Sequence, residues 1–310
     1  MITTVRPFAG EADLLDVTEL LLACQALDHP KNLPTAADLR SELLGSASLD
    51  PERNTHLWQD AAGRVRAFAM VWLPYLYLVF FVHPSEQGTD IEAQIITWAI
   101  ERTQEIARER GEGVHLRARP HEGDVLRIAL LERHGFLRED WYALRLNRML
   151  DEPLLEPRLP PGFTIRHVAG EHEVEAYVAL HRDAFGTTRM TIEERLAMMR
   201  DPEYRSELDL VAVAPDGTLA AFCVGGIDAE PDASGRSCGF TDPIGTRPAF
   251  RRRGLARALL LEQFRRLQAR GVEVVDVGTG SDNAAMQQVL QSVGFRAVFK
   301  VLSYHKEIQP

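Results

Sequence analysis

The chain has 310 residues, with 35 Lys and Arg against 45 Asp and Glu and a formal net charge of -10. At about 150 residues per domain this is a two-domain length, and 45% hydrophobic with 26% charged residues excludes disordered and fibrous classes. The acidic balance argues against a nucleic-acid partner, which positive charge would have to meet.

Three cysteines, Cys24, Cys223 and Cys238, show no C-x-x-C spacing. They exclude a disulfide framework, predict no metal site and fit a reducing, cytoplasmic compartment. The opening MITTVRPFAGEADLL lacks the basic and apolar regions of a leader.

A short strand (TTVRPF) is followed by a helix near Leu14 to Leu27 and a second helix, AADLRSELL. THLWQD and RVRAFAMVW, joined at Ala62-Gly63, read as a hairpin. The most apolar stretch, AFAMVWLPYLYLVFFV (residues 67–82), is 16 residues long and is broken by Pro74. That is too short to span a bilayer. It predicts two buried strands meeting at a Pro turn, and no membrane partner. A long helix ending at Gly111, the strand VHLRAR, a short helix and Gly135-Phe136 close this half.

Residues 151–162, DEPLLEPRLPPG, hold four prolines and no helical or strand period. They read as a linker. The second half then repeats the first. FTIRHVA precedes a helix near Val174 to Phe185, and Thr191 with Glu194 forms a capping box opening TIEERLAMM. DLVAVAP and LAAFCVGGI flank an Asp216-Gly217 turn, a third strand ends near Thr246, and a helix runs from near Gly254 to about Ala269. VEVVDVG, a short helix and Gly294-Phe295 follow. Gly111 to Phe136 is 25 residues and Gly271 to Phe295 is 24, the mark of an internal duplication. The expected fold class is α/β of mixed α+β type. Two tandem domains, 1–150 and 163–310, each hold a mostly antiparallel twisted sheet flanked by helices.

The chemistry is concentrated at 244–257, IGTRPAFRRRGLAR. A small-residue turn at a helix N-terminus presents free N–H groups and the positive end of the helix dipole, which together make an anion site. Gly254 and Ala256 keep side chains out of the way. Eight Arg lie between 247 and 270 in an otherwise acidic chain, and guanidinium forks match phosphate oxygens. The first half shows nothing comparable. It has no Lys or Arg between Arg66 and Arg102, and its equivalent turn, HPSEQGTDIEAQ, carries Glu86, Asp90 and Glu92. Such acids suit a helix dipole and repel pyrophosphate.

Arg251-x-x-Gly254-x-Ala256 resembles the coenzyme A signature of the GNAT acyltransferase superfamily, and Ser281-Asp282-Asn283-Ala284-Ala285 with Val293-Gly294-Phe295 is similar to its later D-N-x-A…L-G-F segment. The resemblance covers 163–306 well and residues 1–150 by element order, as in tandem GNAT proteins. It implies acetyl-CoA as co-substrate. Ile244 and Thr246 would pair with the pantetheine arm like one more strand. Arg251, at the motif's first position, and backbone N–H groups through Arg252, Arg253, Gly254, Leu255, Ala256 and Arg257 would hold the pyrophosphate, and Asn283 would contact pantetheine.

The sequence departs from the family pattern in two places. Leu290 stands where many members have a Tyr acid, leaving water or a group such as Tyr304. Phe240 stands at the commonest place for a Glu base. Asp242, two residues on and on the same strand face, is the candidate general base. Asp228, Asp276 and His181 read as structural. The implied activity is acetyl transfer to an amine by direct attack, in the second domain, with a small-molecule amine or peptide as acceptor and a monomer or homodimer as the assembly. A non-catalytic acyl-CoA sensor is the competing reading.

Overall fold

The computed structural model describes all residues except 1, 26–33, 35–38, 41–42, 45–49, 74, 152, 230 and 233. The expected second helix, AADLRSELL, falls largely outside the described residues. Contacts divide the chain into two compact units, Met1–Ala143 with Phe299–Pro310, and Leu144–Val298. The sequence reading placed residues 299–310 with the second domain; their contacts are with the first unit.

In the first unit, β1 (Ile2–Pro7), β2 (Thr55–Asp60), β3 (Val65–Trp72) and β4 (Tyr77–Val82) pair antiparallel in sequence order. β4 then meets β5 (Val114–Ala118) in parallel over only two pairs, Tyr77↔Arg117 and Leu78↔Ala118. The last strand, β12 (Arg296–Ile308), joins the far edge of β5 antiparallel, with Tyr304 opposite Ala118.

Helix α1 (Glu11–Gln25) covers one face of this sheet, where Leu14, Val17 and Leu21 meet Phe68, Met70 and Phe81. Helices α2 (Asp90–Arg110) and α3 (Val125–Arg133) cover the other, with Ile95, Ile96 and Leu131 against Ala67, Ala69 and Phe80. Period-two alternation in β3 and β4 feeds both cores, so the apolar run of 67–82 reads as continuous. α2 stops at Gly111, whose φ of 69° supplies the left-handed C-cap.

In the second unit, β7 (Thr164–His167), β8 (Asp209–Val213), β9 (Leu219–Ile227) and β10 (Cys238–Thr246) are antiparallel neighbours in sequence order. β10 is followed by β11 (Val274–Gly280), in parallel, and β6 (Leu137–Met149) lies beyond β11. Helices α4 (Val174–Phe185) and α5 (Ile192–Met199) flank one face. Thr191 and Glu194 form the expected capping box at the start of α5. Helices α6 (Leu255–Gln268) and α7 (Ala284–Ser292) flank the other face, where Leu259, Leu260 and Phe264 are fully buried. The linker residues Leu154 and Leu159 pack against this core. Each unit therefore has the expected mixed class, mostly antiparallel with one parallel step. β6 leaves the first unit at Ala143, and β12 re-enters it at Phe299.

Candidate active site

The parallel pairing of β10 with β11 runs only from Cys238↔Val274 to Phe240↔Asp276, while β10 continues to Thr246 and β11 to Gly280. Beyond Phe240 the two strands part, and β10 has an open edge. Its pairing with β9 shows which groups use that edge. Arg247 N donates to Ala220 O at 3.0 Å, and the register runs Thr246↔Ala221, Gly245↔Phe222, Ile244↔Cys223. In an antiparallel ladder, bonded and non-bonded residues alternate. Gly245 therefore bonds toward β9, and the peptide groups of Ile244 and Thr246 face the open edge. The side chain of Arg251 takes one of them, with Nε 3.2 Å from Thr246 O.

The register slips between Thr241 and Ile244, making a bulge of Asp242 and Pro243 where the strands part. A bulge re-aims side chains. Thr241 and Ile244 face α6: Thr241 Oγ1 lies 3.0 Å from Cys223 Sγ, and Ile244 packs in the core with Leu259. Asp242 faces the other way and reaches solvent, yet burial pushes its carboxyl above the usual carboxylate range while the charge of Arg145 pulls it down. A Cβ added at Gly278 on β11 would stand 2.8 Å from Arg145 Nη1, so that glycine makes room for the arginine. Burial pushes the Cys223 thiol up to about 12, which removes it as a nucleophile.

After β10 the chain makes a short 3₁₀ turn, Pro248–Phe250, and enters α6 through Gly254, at φ 81°. Arg252 also has positive φ, 63°. No side chain caps α6, and its first backbone bond is Ala258 N to Gly254 O. Among the described residues, the N–H groups of Arg252 to Arg257 donate to no protein acceptor. Leu255 is buried beneath them, and Ala256 leaves the surface low. Arg251 braces the turn, donating also from Nη2 to Ala184 O at 2.9 Å. Arg253 leans over Phe250, 5.6 Å from the ring centroid. The turn is therefore a cradle of free backbone donors with guanidinium groups around it.

Asn283 caps α7, accepting from Met286 N at 3.1 Å, and among the described residues its amide nitrogen has no protein acceptor. Leu290 is fully buried in the α6–α7 core. Tyr304 corrects an expectation: it lies in the first unit's core, its hydroxyl donating to Glu132 at 3.0 Å. His181 stacks on Phe222 at 5.6 Å, and burial lowers its pKa, keeping it neutral. Sequence reasoning missed one grouping, in which donor atoms of Asp228, Cys238 and Asp276 come within 4.8 Å of one another beside Phe240. Asp228 follows the end of β9, Cys238 opens β10 and Asp276 lies within β11, so no local spacing announces the grouping.

In the first unit the equivalent helix, α2, is closed by Thr89, whose Oγ1 lies 3.4 Å from Ile91 N, with Asp90 and Glu92 in the first turn.

Residues 174–295 match the model of the acetyltransferase (GNAT) family. A curated relative from Frankia alni, named mycothiol acetyltransferase, is 27% identical over 97% of this chain and 94% of its own. A solved GCN5-related N-acetyltransferase from Sphaerobacter thermophilus superposes with a TM-score of 0.79 at 25% identity, covering 99% of this chain and 96% of that one. A tandem GNAT protein from the clavulanic acid biosynthesis pathway shares the fold with a TM-score of 0.72 at 18% identity, covering 99% of each chain.

Proposed function

With a GNAT acetyltransferase domain over residues 174–295 the chain is an N-acetyltransferase, and from that premise we propose that it takes acetyl from acetyl-CoA in the second unit and passes it to a small-molecule amine. The observation that carries this reading is the pairing of an open β10 edge with an uncapped α6 turn. The turn's free N–H groups from Arg252 to Arg257 hold pyrophosphate, and the edge groups of Ile244 and Thr246 hold the pantetheine arm. Asn283 adds its amide nitrogen from the start of α7.

The reaction is direct attack. The acceptor arrives as an ammonium ion, and Asp242 takes its proton, directly or through a water. Its raised pKa brings it closer to the working pH than an ordinary carboxylate. The neutral amine adds to the thioester carbonyl, whose oxygen is polarised by a backbone donor on the β10 edge. The C–S bond then breaks and coenzyme A thiolate leaves. Leu290 offers no acid, and a thiolate needs little help as a leaving group, so water suffices. The first unit, with its capped and acidic turn, is a degenerate copy without a pyrophosphate site. The soluble cytoplasm is the compartment that fits; no described helix is long and apolar enough to cross a membrane.

Leu290 also leaves a second reading, an acyl-CoA sensor without turnover. One experiment decides between them. Acetyl-CoA is titrated by calorimetry into the protein and into Arg252→Glu/Gly254→Glu, and thiol release is followed with a panel of amines. The acceptor of mycothiol acetyltransferases comes first in that panel, because the Frankia alni relative bears that name. One site per chain, lost in the variant, with amine-dependent thiol release, is expected. Binding without release from any amine would favour the sensor. No binding would refute the cofactor site.

A further inference from the structure

Across the gap from Asp242, the second unit holds a cation with nothing to grip. Phe240 and Asp276 are the last residues paired between β10 and β11. Asp242 and Gly278 each stand two residues beyond that pair, on the two strands as they part. Side chains alternate along a strand, so Asp242 shares the face of Phe240, and Gly278 that of Asp276. On β11, Val275 and Val277 pack in the core beneath α6, which turns Gly278 to the opposite face. On β6, Leu144 and Leu146 pack in that same core, which turns Arg145 the opposite way too. Asp242, Gly278 and Arg145 thus share one face of the second unit, the face away from α6.

Arg145 reaches from β6 over β11 at Gly278. A Cβ added at Gly278 would stand 2.8 Å from its Nη1, 3.6 Å from its Cζ and 3.9 Å from its Cδ. The guanidinium therefore rests on bare backbone beside the gap. Among the described residues it takes part in no hydrogen bond or ion pair, and neither does the Asp242 carboxylate. The two groups still sense each other: burial raises the Asp242 pKa, and the charge of Arg145 lowers it. Asp276 shares this face but leans toward β10 and the end of β9, with a donor atom within 4.8 Å of those of Asp228 and Cys238. Arg145 and Asp242 are both exposed.

An unmatched cation and an unmatched anion thus stand on the two lips of the cleft in which acetyl transfer is proposed. They do not pair with each other, so a molecule carrying both charges fits between them. Resting on the reading of the second unit as the acetylating one, we propose that the acceptor is a free amino acid, with its amine at Asp242 and its carboxylate on the fork of Arg145. A guanidinium meets both oxygens of a carboxylate with parallel N–H donors. Asp242 takes the ammonium proton. The N–C bond to the acetyl group forms as the C–S bond breaks, and the carboxylate stays on Arg145 unchanged. The products are an N-acetyl amino acid and coenzyme A. An amine without an acid meets only half of this site.

The test follows thiol release from acetyl-CoA with leucine, phenylalanine and serine, each beside its α-amide. The members of a pair differ only in the acid. The amide's amine is the less basic and more often neutral, so intrinsic reactivity favours the amide. All rates are taken above the acid limb of every variant. Each amino acid that is acetylated is expected to exceed its amide in kcat/KM by about tenfold or more, the worth of one charge-assisted pair. Arg145→Gln is expected to bring that ratio to about one, through the amino acid's KM. Arg145→Lys, which keeps the charge without the fork, should keep part of it. Arg145 is exposed, so both variants should fold, and an unchanged melting temperature and acetyl-CoA affinity check that. Release with the amides at rates equal to or above those with the amino acids overturns the inference. So does a preference for the acid that Arg145→Gln leaves in place. A loss shared equally by acid and amide would make Arg145 a partner of Asp242 alone, which also overturns it. All three results keep the acetyltransferase reading, because thiol is still released. No release from any amine would remove that reading and this inference with it.

Discussion

Gly245→Ala is the perturbation that bears most directly on the proposed cofactor edge. Gly245 lies on β10 between Ile244 and Thr246, and α4 packs straight onto it. A Cβ there would stand 2.4 and 2.8 Å from Phe222 Cε1 and Cζ, and 2.9 Å from Ala184 Cβ. Phe222 is fully buried, stacked with His181 and tilted against Tyr177, and cannot swing aside. The methyl must push α4 away from the strand. Overpacking of this kind costs about 1–3 kcal/mol, and at roughly 2–4 °C per kcal/mol for a protein of this size the melting temperature falls by roughly 2–12 °C. The shift reaches the proposed cofactor cradle through Ala184, whose carbonyl holds Arg251. Acetyl-CoA KM should therefore rise more than kcat falls. Gly217→Ala is the comparison. Its φ of 85° makes the alanine strained, but the Cβ meets nothing within 4 Å, and the turn lies at the far end of the β8–β9 hairpin. It should cost about 1–2 kcal/mol and leave KM alone. If Gly245→Ala lost stability and kept the acetyl-CoA KM of the Gly217→Ala variant, the β10 edge would not be where pantetheine lies. If it lost no stability, the packing argument itself would fail.

Asp242→Asn should abolish most turnover, with acetyl-CoA binding retained in calorimetry. Because burial raises the Asp242 pKa, its contribution to stability is present below the unfolded carboxylate pKa and lost as pH rises through the folded value. The asparagine variant should thus be as stable as the parent at neutral pH, or more so, and a destabilised variant would contradict the assignment. In the parent, kcat/KM should fall as pH drops through the raised Asp242 pKa. Arg145→Gln removes the charge that lowers that pKa and should move the acid limb to higher pH; an unmoved limb would assign it to another group. Arg195→Met should cost about 3–5 kcal/mol in urea denaturation, because Asp209, fully buried, would keep only Tyr204 Oη at 2.5 Å. Arg195→Met/Asp209→Leu should recover most of that loss, and a double variant as unstable as the single would show that the buried charge is not the cause.

Much of the second unit was legible because its signals are local. α4 begins and ends where the apolar period says, the Thr191 box opens α5, and β10 stops at Thr246 before the small-residue turn. The two-residue step from Ile244 to Thr246 already places both on one strand edge. What was not legible depends on register. Pro243 marks an irregularity in the strand, but only the register shows that the bulge turns Ile244, three residues after Thr241, back to the same α6 face. The pairing of the last strand with β5 follows from no spacing, and it moved Tyr304 from a candidate acid to a core residue holding Glu132. Likewise the contact of Arg119 with Tyr77 follows from the parallel step of β4 against β5, which no spacing announces.

The two units share much of one framework and differ where ligands would meet it. Among the described residues both have four antiparallel strands in sequence order, a parallel step after the fourth, and a helix launched beyond that fourth strand. They differ at two small places. In the second unit the helix start is an uncapped glycine ringed by arginines; in the first it is a capping threonine followed by acids. At the start of the parallel step the second unit has carboxylates and a thiol, and the first has rings and guanidinium groups. Neither difference touches the alternating apolar residues that fill the cores. Ligand chemistry in such a fold is written at strand ends and helix starts. Exchanging Thr89 for Gly and Glu92 for Arg should therefore create measurable pyrophosphate affinity in the first unit without unfolding it. Calorimetry with pyrophosphate in the Arg252→Glu/Gly254→Glu background would read this directly. Absence of binding in a folded variant would mean that the splay of the strands, rather than the helix start, sets the site.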